Sequence, residues 1–286
     1  MEKPVKYPEN VKDIIEKDIL DPKREPNDPI LIAYNLAKQM HEGQKRDGGL
    51  DYITHPVQVY DMVKQCIGNS KVYDKNVTLA AALLHDAIED HMQAETKRYK
   101  ELQDAGMTED PLLDITPLNP KDARADAVKI IQNNFPNPEF ARKLIELLDE
   151  LTNPVKFKDS EHKRSLQIAK MKKASGPAKL IKICDQTTNV ASDINERSNL
   201  DLDYDQVIKF ANKATGVVKA AYDSTMAQKG VHAKPIIIAA NAYFKISDEA
   251  LDIFKMIKPH KKISINEYVD DARNRLKIKE TSEWVR

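Results

Sequence analysis

Apolar positions recur along this chain with a helical period in most segments. The clearest stretch covers residues 77–90, VTLAAALLHDAIED. There Val77, Ala81, Leu84 and Ile88 recur at i, i+4, i+7 and i+11, which predicts one amphipathic helix with an apolar seam. Upstream, Asp28-Pro29 reads as an N-cap followed by proline at the first helical position, and Gly43 as the stop of that helix. Its seam carries Ile30, Ala33, Tyr34, Ala37 and Met40. Thr54-His55-Pro56 opens another helix, with Thr54 as its cap and His55 in the first turn, an exposed place for a ligand. Residues 91–122 are polar and irregular apart from a helical pattern near 94–102, and are expected to form a surface insertion or lid. Helical patterns resume over 125–134, 139–151, 160–173 (Ser160 as cap) and from Pro177 onward. After Leu200 two or three further helices are expected, with 236–240 open to a strand reading. A short helical pattern at 11–19 and the linker DPKREPNDP precede the main body. No strand alternation is sustained and no solenoid repeat appears, so the expected fold is all-α.

Composition narrows the class. Eight glycines and 6% aromatics suit helices. Lys+Arg 45 balance Asp+Glu 45, so no global field calls for nucleic acid or an anionic membrane. The longest apolar run, 235–244, is too short to span a bilayer, and the first residues lack the apolar region of a signal peptide. Cys66 and Cys184 lie far apart without a CxxC pattern, as in reduced thiols. A cytoplasmic protein is expected.

Candidate chemistry concentrates at the end of the 77–90 stretch. In a continuous helix His85 pairs with Glu89, and Asp86 with Glu89 and Asp90. So many carboxylates repel one another unless a cation balances them. A second signal lies in AKLIKICDQTTNVASD, where Leu180, Ile181, Cys184 and Thr188 form one side and Asp185 and Asn189 stand at i and i+4 on another. An aspartate among apolar neighbours is costly unless paired or bound to metal. His55, His85, Asp86 and Asp185 thus supply, from three segments, the mixed nitrogen and oxygen donors that suit Mn²⁺, Fe²⁺ or Zn²⁺. His41, His91, His162 and His232 read as surface or structural groups. Lys179 and Lys182 read as solvated helix lysines within reach of a phosphate, Cys184 as a small core residue, and the KPHKK tract near Lys258 as a solvated helix end.

Six pieces in order resemble the alarmone hydrolases, HD-domain phosphohydrolases that include the hydrolase domain of the Rel/SpoT enzymes and the small Mesh-like forms. They are AYNLAKQMHEGQKR, YITHP, AALLHDAIED, ELTN, KRSLQ and AKLIKICDQTTN. The resemblance implies an HD-type helical bundle at about 28–200, flanked by an N-terminal helix and linker (1–27) and a C-terminal helical extension (201–286). It implies Mn²⁺ held by His55, His85, Asp86 and Asp185, and Glu89 and Asp90 as the catalytic acidic pair. Arg46, Tyr52, Asn189 and Ser192 match positions that contact the nucleotide in relatives, and Lys45 with Arg46 forms a basic loop suited to a diphosphate. The sequence departs from the family at Asp47, where lysine is usual, and at CDQTTN in place of ADRLHN. The implied activity is hydrolysis of the 3′-pyrophosphate of ppGpp-type alarmones in the stringent response. Guanine and adenine alarmones both stay open, as do NADPH and other nucleotides, and a non-catalytic nucleotide-binding or antitoxin-type protein is the rival class. The expected partner is a small nucleotide; membrane and nucleic acid are not expected, and the C-terminal helices offer a surface for oligomerisation.

Overall fold

A computed structural model describes residues 5–8, 10–46, 49–106, 120–153, 159–197, 204–228 and 233–257. Asp47, His232, the proline-containing part of the 91–122 insertion and the KPHKK tract lie outside the described residues. Among those described, all regular structure is helical. Helix α1 (Val11–Ile14) runs into a wider turn at Ile15–Ile19. Asp28 then caps α2 (Pro29–Met40), accepting from the Ile30 and Leu31 amides, and Gly43 takes the positive φ that redirects the chain after it. Arg24 braces this entry by binding both Asp28 and Asp18.

Helix α3 (Thr54–Ile67) differs from expectation at its start. Thr54 turns its hydroxyl back to the Asp51 carbonyl and makes no cap bond, and His55 is buried, not exposed. The 77–90 stretch is also not one helix. It divides into α4 (Lys75–Leu84) and α5 (Ala87–Asp104), with His85 and Asp86 in the break. The His85 ring nitrogen Nδ1 lies 2.9 Å from the Ala82 carbonyl, the acceptor that the Asp86 amide would use in an unbroken helix. Nor is α4 amphipathic: every residue from Val77 to Leu84 is buried. It runs through the centre, packed by α2, α3 and α7. A helix apolar on all sides belongs inside the protein.

The helical pattern read near 94–102 belongs to the longer α5, which packs on α6 (Pro120–Asn134). Asn137 caps α7 (Pro138–Leu151). Asp159, not Ser160, caps α8 (Ser160–Lys173), accepting from the His162 amide. Helix α9 (Gly176–Arg197) begins where a Cβ on Gly176 would meet the Tyr73 hydroxyl at 2.7 Å, so glycine permits that approach. The long α10 (Tyr204–Ala227) and α11 (Ala233–Ile257) pack along α9, with α10 also on α8 and α11 on α3. Residues 236–240 are therefore helix, not strand. Tyr243 of α11 is buried with its hydroxyl 2.8 Å from Thr215 of α10. No helix among the described residues is long and apolar enough to cross a membrane.

Candidate metal centre

Three buried segments bring His55 (first turn of α3), His85 and Asp86 (the α4–α5 break) and Asp185 (mid-α9) together. One ligand atom from each lies within 4.8 Å of all the others. His55 Nε2 is 3.2 Å from Asp185 Oδ1 and 3.8 Å from Asp86 Oδ2. His85 Nε2 is 3.0 Å from Asp86 Oδ2 and 3.7 Å from Asp185 Oδ1. Donors placed about 2.0–2.2 Å from a common divalent ion would stand about 3–4 Å apart, so these spacings fit a metal.

The surroundings fix which ring nitrogens face inward. His85 presents Nδ1 to the Ala82 carbonyl, and its buried Nε2 has no hydrogen-bond partner. Thr188 donates to the Asp185 carbonyl, so its oxygen is free to accept from His55 Nδ1 at 3.2 Å. Both Nε2 atoms are left for the centre, the arrangement that outer partners impose on metal-binding histidines. Asp185 is held on both oxygens. Oδ1 accepts from Asn189 at 2.6 Å, while Oδ2 accepts from Lys182 at 2.6 Å and Gln186 at 3.0 Å. Asp86 Oδ2 accepts the Tyr52 hydroxyl at 2.9 Å.

Charge supports a cation here. Burial works against ionising Asp185, but Lys182, His55 and His85 hold it well below the usual carboxylate range. Burial likewise opposes Asp86, and His85 overrides it downward. Burial lowers His55 to about 4, helped by Arg46. At His85 burial also disfavours the charge, yet Asp86 and Asp185 raise it to about 10. Two ionised carboxylates then face one lysine and a histidine that holds a proton only to balance them. A divalent ion held by these four residues would take the place of that proton. At pH 7 the metal-free protein should carry His85 protonated and His55 neutral, so loading expels about one proton, all from His85. Affinity should climb as pH rises toward the His85 value, by roughly tenfold per unit. Calorimetric titration with Mn²⁺ in two buffers of different ionisation heat reads the proton count; no release at pH 7 would contradict this charge balance.

The acidic pair lies in the first turn of α5, and its two carboxylates face different partners. Glu89 is held by the Asn153 side chain (2.8 Å) and by Lys163 (2.8 Å). Asp90 lies 3.4 Å from His41 Nδ1, and burial raises it above the ordinary carboxylate range against the opposing pull of His41. Neither forms the helix pair with His85 or Asp86 that the sequence suggested. His41 itself is buried, stacks on Tyr52 with ring centroids 4.6 Å apart and reaches Gln44 at 3.1 Å. Its sequence neighbours alone mark His41 as surface or structural, although it lies inside the piece AYNLAKQMHEGQKR. Asn153 and Lys163 likewise sit in ELTN and KRSLQ, where local spacing gives no sign that they meet Glu89. His91 stays outside the centre and pairs with Asp126 at 3.0 Å.

The remaining candidates divide. Arg46 lies close enough to depress His55. Lys45 pairs instead with Asp51 across the same exposed loop. Tyr52 faces Asp86, and Asn189 faces Asp185. Ser192 stands one turn further along α9 and meets the Tyr7 hydroxyl at 3.0 Å. Lys179 and Lys182 are buried, contrary to the solvated reading. Cys66 and Cys184 meet between α3 and α9, where burial and the neighbouring thiol push Cys184 up.

Comparison with known proteins finds similarity over part of the chain. Residues 33–106 match the HD domain family model. The bifunctional (p)ppGpp synthase/hydrolase SpoT of Escherichia coli is 52% identical over 58 residues, 20% of this chain and 7% of that protein. A guanosine-3′,5′-bis(diphosphate) 3′-pyrophosphohydrolase of Vibrio cholerae is 35% identical over 82 residues, 29% of this chain and 10% of the relative. A GTP pyrophosphokinase of Streptomyces coelicolor is 42% identical over 72 residues, 24% and 8% of the two chains. The aligned part is thus a tenth or less of each of these relatives. No solved structure matches.

Proposed function

Because this chain carries an HD domain homologous to a segment of SpoT, we propose that it is a metal-dependent nucleotide phosphohydrolase that removes the 3′-pyrophosphate of ppGpp-type alarmones. The observation that carries this reading is the convergence of His55, His85, Asp86 and Asp185 within 4.8 Å, with Glu89 and Asp90 in the adjoining helical turn. A divalent ion there, Mn²⁺ in this reading, supplies a Lewis acid for a phosphoryl oxygen and acidifies the attacking water.

The chain's own residues do the rest. Asp90, in the first turn of α5 just after the break that holds Asp86, accepts the proton of the water that attacks the phosphorus next to the ribose 3′-oxygen. Glu89, held between Asn153 and Lys163, orients that water. Arg46, on the loop beside His55, offers a guanidinium to the pyrophosphate oxygens. Lys182 keeps Asp185 ionised and aimed inward. The bond from phosphorus to the 3′-oxygen breaks, the 3′-oxygen takes a proton, and the products are the 5′-nucleotide with a free 3′-hydroxyl and pyrophosphate.

The choice of bond gives the test. Incubated with ppGpp or ppApp in ¹⁸O-labelled water, the Mn²⁺-loaded protein should release labelled pyrophosphate with no early orthophosphate. Attack at the terminal phosphorus would instead give orthophosphate first and leave a 3′-monophosphate, and that product order would overturn the proposed pose.

A further inference from the structure

An N-terminal strap reaches the candidate site from a part of the chain that carries no site motif. Residues 5–8 lie across α3, with Val5 buried. The Gln65 amide clamps Lys6 reciprocally: its oxygen accepts from the Lys6 amide at 2.8 Å and its nitrogen donates to the Lys6 carbonyl at 3.0 Å. One and a half to two turns earlier on α3, Gln58 donates to the Tyr7 hydroxyl at 3.0 Å and to the Pro8 carbonyl at 3.3 Å. The clamp therefore fixes both the backbone around Tyr7 and its phenol oxygen. That oxygen lies 3.0 Å from the buried Ser192 hydroxyl of α9.

Ser192 belongs to a row. Asp185, Asn189 and Ser192 stand at i, i+4 and i+7, the spacing that lines one helix face. At 1.5 Å per residue the row extends about 10 Å from the metal centre. Asp185 and Asn189 are joined to each other, and the row ends on Tyr7. A nucleotide whose 3′-phosphate lies at the metal must place its sugar and base away from the ion. Half-buried Asn189 and buried Ser192 are the polar side chains that this row of α9 places between the centre and Tyr7. The Tyr7 ring packs partly buried against the core, and its hydroxyl holds Ser192 at the far end of the row.

We propose that Tyr7, delivered by the strap, is a positioning residue for the nucleoside half of the substrate, acting through Ser192 on affinity and not on the chemical step. The inference rests on the phosphohydrolase reading above. The test uses the full, Mn²⁺-loaded chain with ppGpp and ppApp, compared with Tyr7→Phe, Tyr7→Ala, Ser192→Ala and the double variant Tyr7→Phe/Ser192→Ala. Loss of one hydrogen bond should raise KM about threefold to tenfold in Tyr7→Phe, with kcat and metal content unchanged. Tyr7→Ala, which also removes the ring, should raise KM further. The double variant should be no worse than the poorer single variant, because both lose the same contact.

Each other result counts against the inference in a distinguishable way. An unchanged KM in Tyr7→Phe and Tyr7→Ala, with wild-type turnover intact, overturns the role of Tyr7 and leaves the phosphohydrolase reading standing. A fall in KM means that the strap obstructs the site, and a fall in kcat alone assigns Tyr7 to the chemistry; both also overturn it. If the wild-type chain neither binds nor cleaves either nucleotide, the inference falls together with the reading beneath it.

Discussion

Asp185→Asn is expected to abolish the proposed turnover and to weaken divalent-ion binding at the candidate centre. The carboxylate stands in the middle of α9, buried, with one oxygen turned to His55 and Asn189 and the other to Lys182 and Gln186. An amide keeps the shape but supplies no charge, leaving Asp86 as the centre's one anionic donor. Affinity should fall by more than the roughly 10–100-fold that removal of an outer partner costs, because a direct donor is lost. Asp185→Ala is the harsher form, since it strands the Lys182 ammonium without its partner; breaking such a buried pair costs about 3–5 kcal/mol. The asparagine variant, shown to be folded by circular dichroism, therefore separates loss of metal from loss of fold. His85→Ala removes an opposing donor from the α4–α5 break and should behave the same way. Full metal occupancy in both Asp185→Asn and His85→Ala, by elemental analysis, would rule out the proposed ligand set.

Glu89→Gln and Asp90→Asn should retain metal while slowing turnover by about a hundredfold or more each, since they remove a proton acceptor and a water-orienting charge without changing volume. The two are expected to differ in pH dependence. Burial holds Asp90 above the usual carboxylate range, so it is protonated, and unable to accept, below that raised value. Wild-type kcat should therefore fall as pH drops through it and level off above. Asp90→Asn should lack that limb. Glu89→Gln should keep it, because the role proposed for Glu89, held between Asn153 and Lys163, is to orient the water. Steady-state rates across pH for the three proteins provide the check, and near-normal turnover in both variants would remove these carboxylates from the mechanism.

The partners of the two acidic residues show where sequence spacing misleads. Read as one helix, residues 77–90 pair His85 with Glu89 and Asp86 with both acids. The His85 side chain instead takes the Ala82 carbonyl, the helix breaks, and the acids turn to α2, α8 and the end of α7. A side chain competing for a backbone acceptor leaves no trace in hydrophobic periodicity. His41 has no acidic partner within its own motif, so its sequence reads as structural. Its buried place beside Asp90 and Tyr52 comes from the packing of α2 against α4 and α5, not from its immediate neighbours.

What the sequence determined by itself is what depends on neighbours within about a turn. The caps at Asp28 and the stop at Gly43 are local, as are the Asp185–Asn189 pair and the helical period of nearly every segment. Six ordered motifs also carried the identity of the four converging residues across three segments. Tertiary structure decided what those residues face. His55 proved buried because α9 covers it, and its free nitrogen was set by Thr188, 133 positions away. Tyr52 was aimed at Asp86 from 34 positions away, and Tyr7 at Ser192 from 185. Lys182 became the buried counter-ion of Asp185 because the helices around α9 exclude water from a side chain that sequence reads as solvated. Helix periodicity encodes contacts three and four residues apart; burial and partner choice are set by which helices meet, and no local spacing records that.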